Sequence, residues 1–160
     1  MNHDGVYTFS SLLPEHAELE RLFETHQRAL ISRDLETALA TIATFQNRLN
    51  RHIEFEEEVV LPLYKSKGAE VEGGSLPIFQ AEHRKLREIV ANLARSTGAL
   101  SATADILGSI LHLMDQEALF KGLFNHHALR EQNLLFPRLD AFTTESEREK
   151  ALEEYAKCIL

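Results

Sequence analysis

Apolar residues recur along this chain at helical rather than strand spacing. Leu12, Leu19, Leu22, Phe23 and Leu30 line one face of a first helix, with Ser10 or Ser11 as its cap and Pro14 and Glu15 suited to its first turn. Ser32-Arg33-Asp34 breaks the pattern, and Asp34 is placed to cap a second helix running to about Lys65. Pro62 falls near the end of that helix and should kink or terminate it. The stretch from Ser66 to Ser75 holds Gly68, Gly73 and Gly74 and reads as the central loop. A third helix starts near Leu76-Pro77 and runs to about Arg95, unless it continues through Gly98. A turn near 103–106 then leads into a fourth, ending near Asp140, and Thr143 or Thr144 caps a polar fifth helix over about 144–160. No run of β-branched residues is bounded by turn signals, so the pattern predicts an all-α chain.

Two segments repeat one another. His52-Ile-Glu-Phe-Glu56 is followed by Pro62, and His127-Ala-Leu-Arg-Glu131 by Pro137. Both read His-x3-Glu-x5-Pro and pass through an apolar stretch, Val59-Val60-Leu61 in one case and Leu134-Leu135-Phe136 in the other. A given histidine begins this pattern by chance roughly once in 320 times, so two instances are not an accident of composition. An Glu-His pair precedes each copy: Glu15-His16 with Leu19 and Leu22, and Glu82-His83 with Leu86 and Ile89.

The duplication constrains topology. From His16 to the turn at 32–34 is about 17 residues and back to His52 about 18, so antiparallel helices rising ~1.5 Å per residue bring the two to one height. A midpoint near 103–106 would level His83 with His127 in the same way. Two such hairpins imply a single pseudo-symmetric antiparallel up-down four-helix bundle over about 10–140, each helix offering an inward polar group near one end of the core.

The residue types carry the chemistry. His and Glu at i and i+4 stand on one helix face, one turn apart, and can reach one site. A neutral imidazole supplies nitrogen to a borderline metal, while a carboxylate can bridge two metals. Such donors inside helical bundles commonly house paired iron or manganese. A metal-free bundle is the competing reading: taken singly, a His-x3-Glu pair is more often a solvated surface pair. Burying all six groups without a cation, however, would cost several kcal/mol for each poorly satisfied charge.

These motifs resemble the hemerythrin-like (HHE cation-binding) family of non-haem di-iron proteins over roughly residues 10 to 140. The resemblance implies that His16, His52, His83 and His127 ligate one iron or the other, and that Glu56 and Glu131 bridge them. Oxygen carriers of the family place a further histidine four residues after the one on the third helix, where this chain has Arg87. The set then fills about ten of twelve positions around two six-coordinate ions, counting one oxo or hydroxo bridge. Glu20, one turn after His16, is the first candidate for an extra ligand and Glu57 the second; Arg87 is placed to pair with a carboxylate near the site. The resemblance implies binding, sensing or reaction with a small oxidant or diatomic such as O2, NO or peroxide. The alternatives are iron–sulfur cluster repair or iron donation, and oxidant reduction with an outside electron donor. Members devoted to repair carry cysteines in an added N-terminal domain, and the one cysteine here is Cys158. Manganese and zinc suit the same donors.

Composition narrows the rest. At 160 residues with 44% hydrophobic and 26% charged residues, the chain is expected to form one domain over 1–160 with a single proper core. A formal charge of −8 with dispersed lysine and arginine argues against nucleic acid. No apolar run reaches membrane-span length, and Met-Asn-His-Asp-Gly lacks the form of a signal peptide, so a cytoplasmic protein is expected. His26 and His112 stand too far along their helices to join the site, His126 is turned ~100° from His127, and His3 belongs to the terminus. Phe45, Phe55, Phe120, Phe124, Phe136 and Tyr64 read as core.

Overall fold

A computed structural model describes residues 7–159. A 3-10 turn at Phe9–Leu12 leads into α1 (Leu13–Ile31), followed by α2 (Leu35–Phe55), α3 (Leu61–Ser66), α4 (Leu76–Ala99), α5 (Ile106–Arg130), α6 (Phe136–Phe142) and α7 (Glu145–Ile159). No strand occurs among the described residues, apart from a single bridge between Val71 and Gly74. The long helices α1, α2, α4 and α5 close a ring of contacts: α1 with α2, α2 with α4, α4 with α5, and α5 with α1. No helix among the described residues is long and apolar enough to cross a membrane.

Local signals account for most boundaries. Asp34 caps α2 by accepting from the Thr37 amide at 3.0 Å, and Asp105 caps α5 through the Gly108 amide at 2.9 Å. Thr144 and Glu147 form a capping box at the head of α7. Between α1 and α2 the reversal is tight: Asp34 donates to the Ala29 carbonyl while Arg33 takes a φ of 59°, a left-handed geometry more often given to glycine. The third long helix continues through Gly98 to Ala99 rather than stopping near Arg95, because Thr97 folds its hydroxyl back onto the Leu93 carbonyl and Leu100 is buried beneath. The first helix is not capped by Ser10 or Ser11. Asp140 of α6 instead caps the 3-10 turn before it from across the fold, accepting from the Phe9 amide at 2.7 Å.

Neither proline ends the helical run. Each follows a π turn, Glu56–Val60 before Pro62 and Glu131–Leu135 before Pro137. Leu61 donates five residues back to the Glu56 carbonyl, and Phe136 five back to the Glu131 carbonyl. A proline lacks the amide for an ordinary helical bond, and its ring crowds the carbonyl four residues earlier. Widening the preceding turn relieves that crowding and lets the helix run on, and such π turns gather at functional sites.

The interior is two apolar clusters rather than one core. Leu19, Phe23, Phe45, Leu49, Leu86, Leu93, Phe120 and Phe124 anchor the first; Phe9, Phe55, Val60, Tyr64, Phe79, Leu135 and Phe136 anchor the second. The ring of His16 touches both, lying 6.0 Å from Phe124 and stacked at 6.4 Å on Phe136. A polar layer thus separates the clusters instead of lying at one end of the core. The α1–α5 contact is the sparsest of the four, and a cleft of about 600 Å³ opens there over Phe23, Phe45, Phe120 and Phe124. Helix α7 packs on α2, setting Tyr155 edge-on to Phe55.

Candidate metal centre

Four helices and both π turns contribute to the polar layer. His16 comes from the first half of α1 and His83 from that of α4; His52 and His127 stand one turn from the ends of α2 and α5, and Glu56 and Glu131 open the π turns. All six are buried: Glu56, Glu131 and His83 fully, His52 and His127 at 1% exposure, His16 at 6%.

Their atoms form two groups that share both carboxylates: His16, His52, Glu56 and Glu131 in one, and His83, His127, Glu56 and Glu131 in the other. Within each group the ligand-type atoms all lie within 4.8 Å of one another. Every histidine points its Nε2 inward. Glu56 sets Oε1 3.3 Å from His52 Nε2 and Oε2 3.3 Å from His83 Nε2. Glu131 sets Oε2 3.0 Å from His16 Nε2 and Oε1 2.8 Å from His127 Nε2. Each carboxylate therefore gives one oxygen to each group.

The donor set fits a pair of cations. Neighbouring ligands around an ion at ~2.1 Å stand roughly 3 Å apart, matching the 2.8–3.3 Å separations found here. Both oxygens of Glu56 and of Glu131, with Nε2 of His83 and of His127, are buried and make no hydrogen bond of good angular geometry, although Glu131 stands 2.8 Å from His127 and 3.0 Å from His16. Buried polar atoms are almost always satisfied, and these six converge where a metal ion, or at Glu131 the protons of His16 and His127, could satisfy them. Without one the layer turns to protons. Burial opposes charge on His127, but Glu131 and Glu82 outweigh it and push its imidazole up to about 10. Burial opposes charge on His16 too, but Glu131 and Glu56 raise it, while burial lowers His52. Burial also opposes the Glu131 charge, yet His127 and His16 hold that carboxyl well below the usual range.

Outside this layer the two groups differ. His83 Nδ1 faces Glu57 Oε1 at 3.2 Å, and Arg87 donates to Glu57 Oε2 at 2.8 Å. His127 Nδ1 faces Glu82 Oε2 at 3.0 Å, and Arg130 donates to Glu82 Oε1 at 3.1 Å. His52 Nδ1 is buried with no protein partner, and no hydrogen bond among the described residues engages His16 Nδ1. Glu15 is gripped instead by Arg48, whose Nε and Nη2 donate at 2.5 and 2.8 Å.

The two candidate extra ligands are placed otherwise. Glu20 is exposed on the rim of the α1–α5 cleft and belongs to neither group, because one turn along α1 from His16 its side chain faces solvent. Glu57 is half-buried but spends its oxygens on His83 Nδ1 and Arg87, so it backs a histidine rather than joining the donors. Arg87 does pair with a carboxylate beside the site. The roles of Glu82 and Glu15 were foreshadowed only by the repeated Glu-His pair, whose spacing did not say that each glutamate would reach a neighbouring helix. Tyr155 gave no signal: it arrives from α7, where burial and the Glu15 carboxylate push its phenol upward.

The remaining histidines have other partners. His26 is fully buried, its Nδ1 donating to the Ala38 carbonyl at 2.8 Å and its Nε2 2.8 Å from Glu117 Oε1. His112 and His126 are exposed, against Gln116 and Arg130, and His3 lies outside the described residues. Tyr64 is a core residue whose hydroxyl donates to the Gly74 carbonyl at 3.0 Å. Comparisons with protein-family models, with curated proteins and with solved structures found no match for this chain.

Proposed function

We propose that this chain is a hemerythrin-like, antiparallel up-down four-helix bundle that holds a non-haem di-iron centre and binds, senses or reacts with a small oxidant or diatomic such as O2, NO or peroxide. His16 and His52 would hold one ion, His83 and His127 the other, and Glu56 and Glu131 would bridge them. One observation carries the reading: both buried glutamates direct one oxygen to each histidine pair. Mixed nitrogen and oxygen donors in a bundle core suit redox-active iron or manganese. Paired iron bound there supplies one-electron steps and an open coordination position for a small ligand.

The chain's own residues support that chemistry. Phe124 and Phe136 cover the ring of His16 from two sides and limit water at the donors. Arg87 turns away to Glu57, so the donor set stays at four imidazoles and two carboxylates, short of filling two six-coordinate ions. The α1–α5 cleft brings solvent to Phe124, against the His16 side of the layer.

Elemental analysis of protein made in iron-replete cells is the test. About two irons per chain are expected from two such donor groups; less than one would defeat the reading. Ferrous protein exposed to air should then develop a visible charge-transfer band, reversible if O2 is simply bound and irreversible if it reacts.

A further inference from the structure

We propose that the two metal positions are unequal: the one made by His83 and His127 fills first and holds its ion more tightly, and the one made by His16 and His52 fills last and exchanges. This rests on the di-metal reading of the same six residues and adds a difference between their halves.

The repeat makes the difference visible. Superposing His16 on His83 and His52 on His127 brings Glu15 onto Glu82, Glu20 onto Arg87, Glu57 onto Gln132, Arg48 onto Leu123 and Phe55 onto Arg130. In the second half Glu82 reaches His127, and Glu57, lent by α2, reaches His83; each carboxylate is pinned by an arginine on its far side. In the first half both devices fail. Gln132 stands where a carboxylate would face His16, and it is exposed. Glu15 is present, but Arg48 binds it through two nitrogens, and His52 keeps a buried Nδ1 with no protein partner.

A carboxylate behind a metal-bound imidazole fixes the tautomer that leaves Nε2 free, orients the ring and raises its basicity. Losing such a partner usually lowers metal affinity about 10- to 100-fold. Inner donors match in the two groups, two imidazoles and the same two carboxylates, so these outer partners decide the order. Exposure agrees: His16 is the least buried of the six, and the α1–α5 cleft leads to its neighbour Phe124.

The test is an anaerobic titration of the full metal-free chain with Co(II), read by calorimetry and by the visible bands of the bound ion. His52→Ala leaves the His83/His127 position and His83→Ala leaves the other. The single ion retained by the His52 variant should bind about 10- to 100-fold more tightly than that retained by the His83 variant. Glu82→Gln should weaken the tight step, change its Co(II) spectrum and leave the weak step in place, with metal-free melting reporting any loss of packing separately. Equal affinities in the two histidine variants would overturn the proposal while two ions per wild-type chain still upheld the di-metal reading. Failure of the wild-type chain to bind Co(II) at all would instead overturn that reading, and the proposal with it.

Discussion

Among the described residues, two buried histidine–glutamate clusters stand in contrast. His26 and Glu117 are as buried as the six residues of the proposed centre, yet every polar atom has a partner. His26 Nδ1 donates to the Ala38 carbonyl, Nε2 lies 2.8 Å from Glu117 Oε1, and Glu117 Oε2 accepts from Gln27 at 2.9 Å. That cluster is closed. In the polar layer, by contrast, two carboxylates and the imidazoles of His83 and His127 turn inner atoms that make no hydrogen bond toward common points, beside His16 and His52, whose Nε2 atoms lie 3.1 Å apart. Burial of the same residue types is compatible with either a closed hydrogen-bonded pair or a group that could hold a cation, and the two clusters differ in how their individual atoms are partnered.

The largest expected effect is at the shared carboxylates. Glu131→Ala removes one oxygen from each group at once, so metal content should fall from about two ions per chain to less than one; full occupancy by elemental analysis would break the contrast between the clusters. Glu117→Ala should do the reverse. It leaves His26 buried against a carbonyl with no carboxylate and should cost about 3–5 kcal/mol in chemical denaturation of the metal-free chain, while metal stoichiometry stays unchanged.

Protons provide a milder test. His127 is raised from 6.5 to about 10, so at neutral pH the metal-free chain carries a proton there that an ion must displace. Ion uptake in weakly buffered solution should release protons, and apparent affinity should climb with pH until about 10, by up to roughly tenfold per unit for each proton displaced. The sign for stability is opposite. A raised histidine stabilises the metal-free fold fully below 6.5, and that contribution is lost as pH rises towards 10. Ion-loaded protein should lack this alkaline loss, and identical pH–stability curves with and without metal would count against an ion on His127. The smallest effect belongs to Gln27→Ala, which removes one donor from Glu117 and should cost about 1 kcal/mol without altering metal binding.

The repeat His-x3-Glu-x5-Pro names four of the six convergent residues and the repeated Glu-His pair the other two, His16 and His83, because a helix converts spacing into facing and a duplicated pattern marks equivalent positions. Pro62, expected to kink or end its helix, does not stop the helical run, which continues to Ser66. Pro62 and Pro137 each follow a π turn that opens at the glutamate of the motif, a local consequence of a missing amide that linear spacing does not display. Glu20 and Glu57 show the limit from the other side. Both stand near a motif histidine in sequence, but one faces solvent and the other reaches across to His83 on α4.

Legible along the chain were the long helices, the break at Asp34, a capped start at Thr143 or Thr144 and the set of four histidines and two glutamates, since these follow from near-neighbour spacing and capping chemistry. Tertiary structure alone decided which oxygen faces which histidine, that Asp140 caps a turn at the other end of the chain, and that Arg48 draws Glu15 away while Glu82 stays with His127. Those outcomes depend on side chains from separate helices competing for one partner within a few ångströms, and spacing along the chain carries no term for that competition.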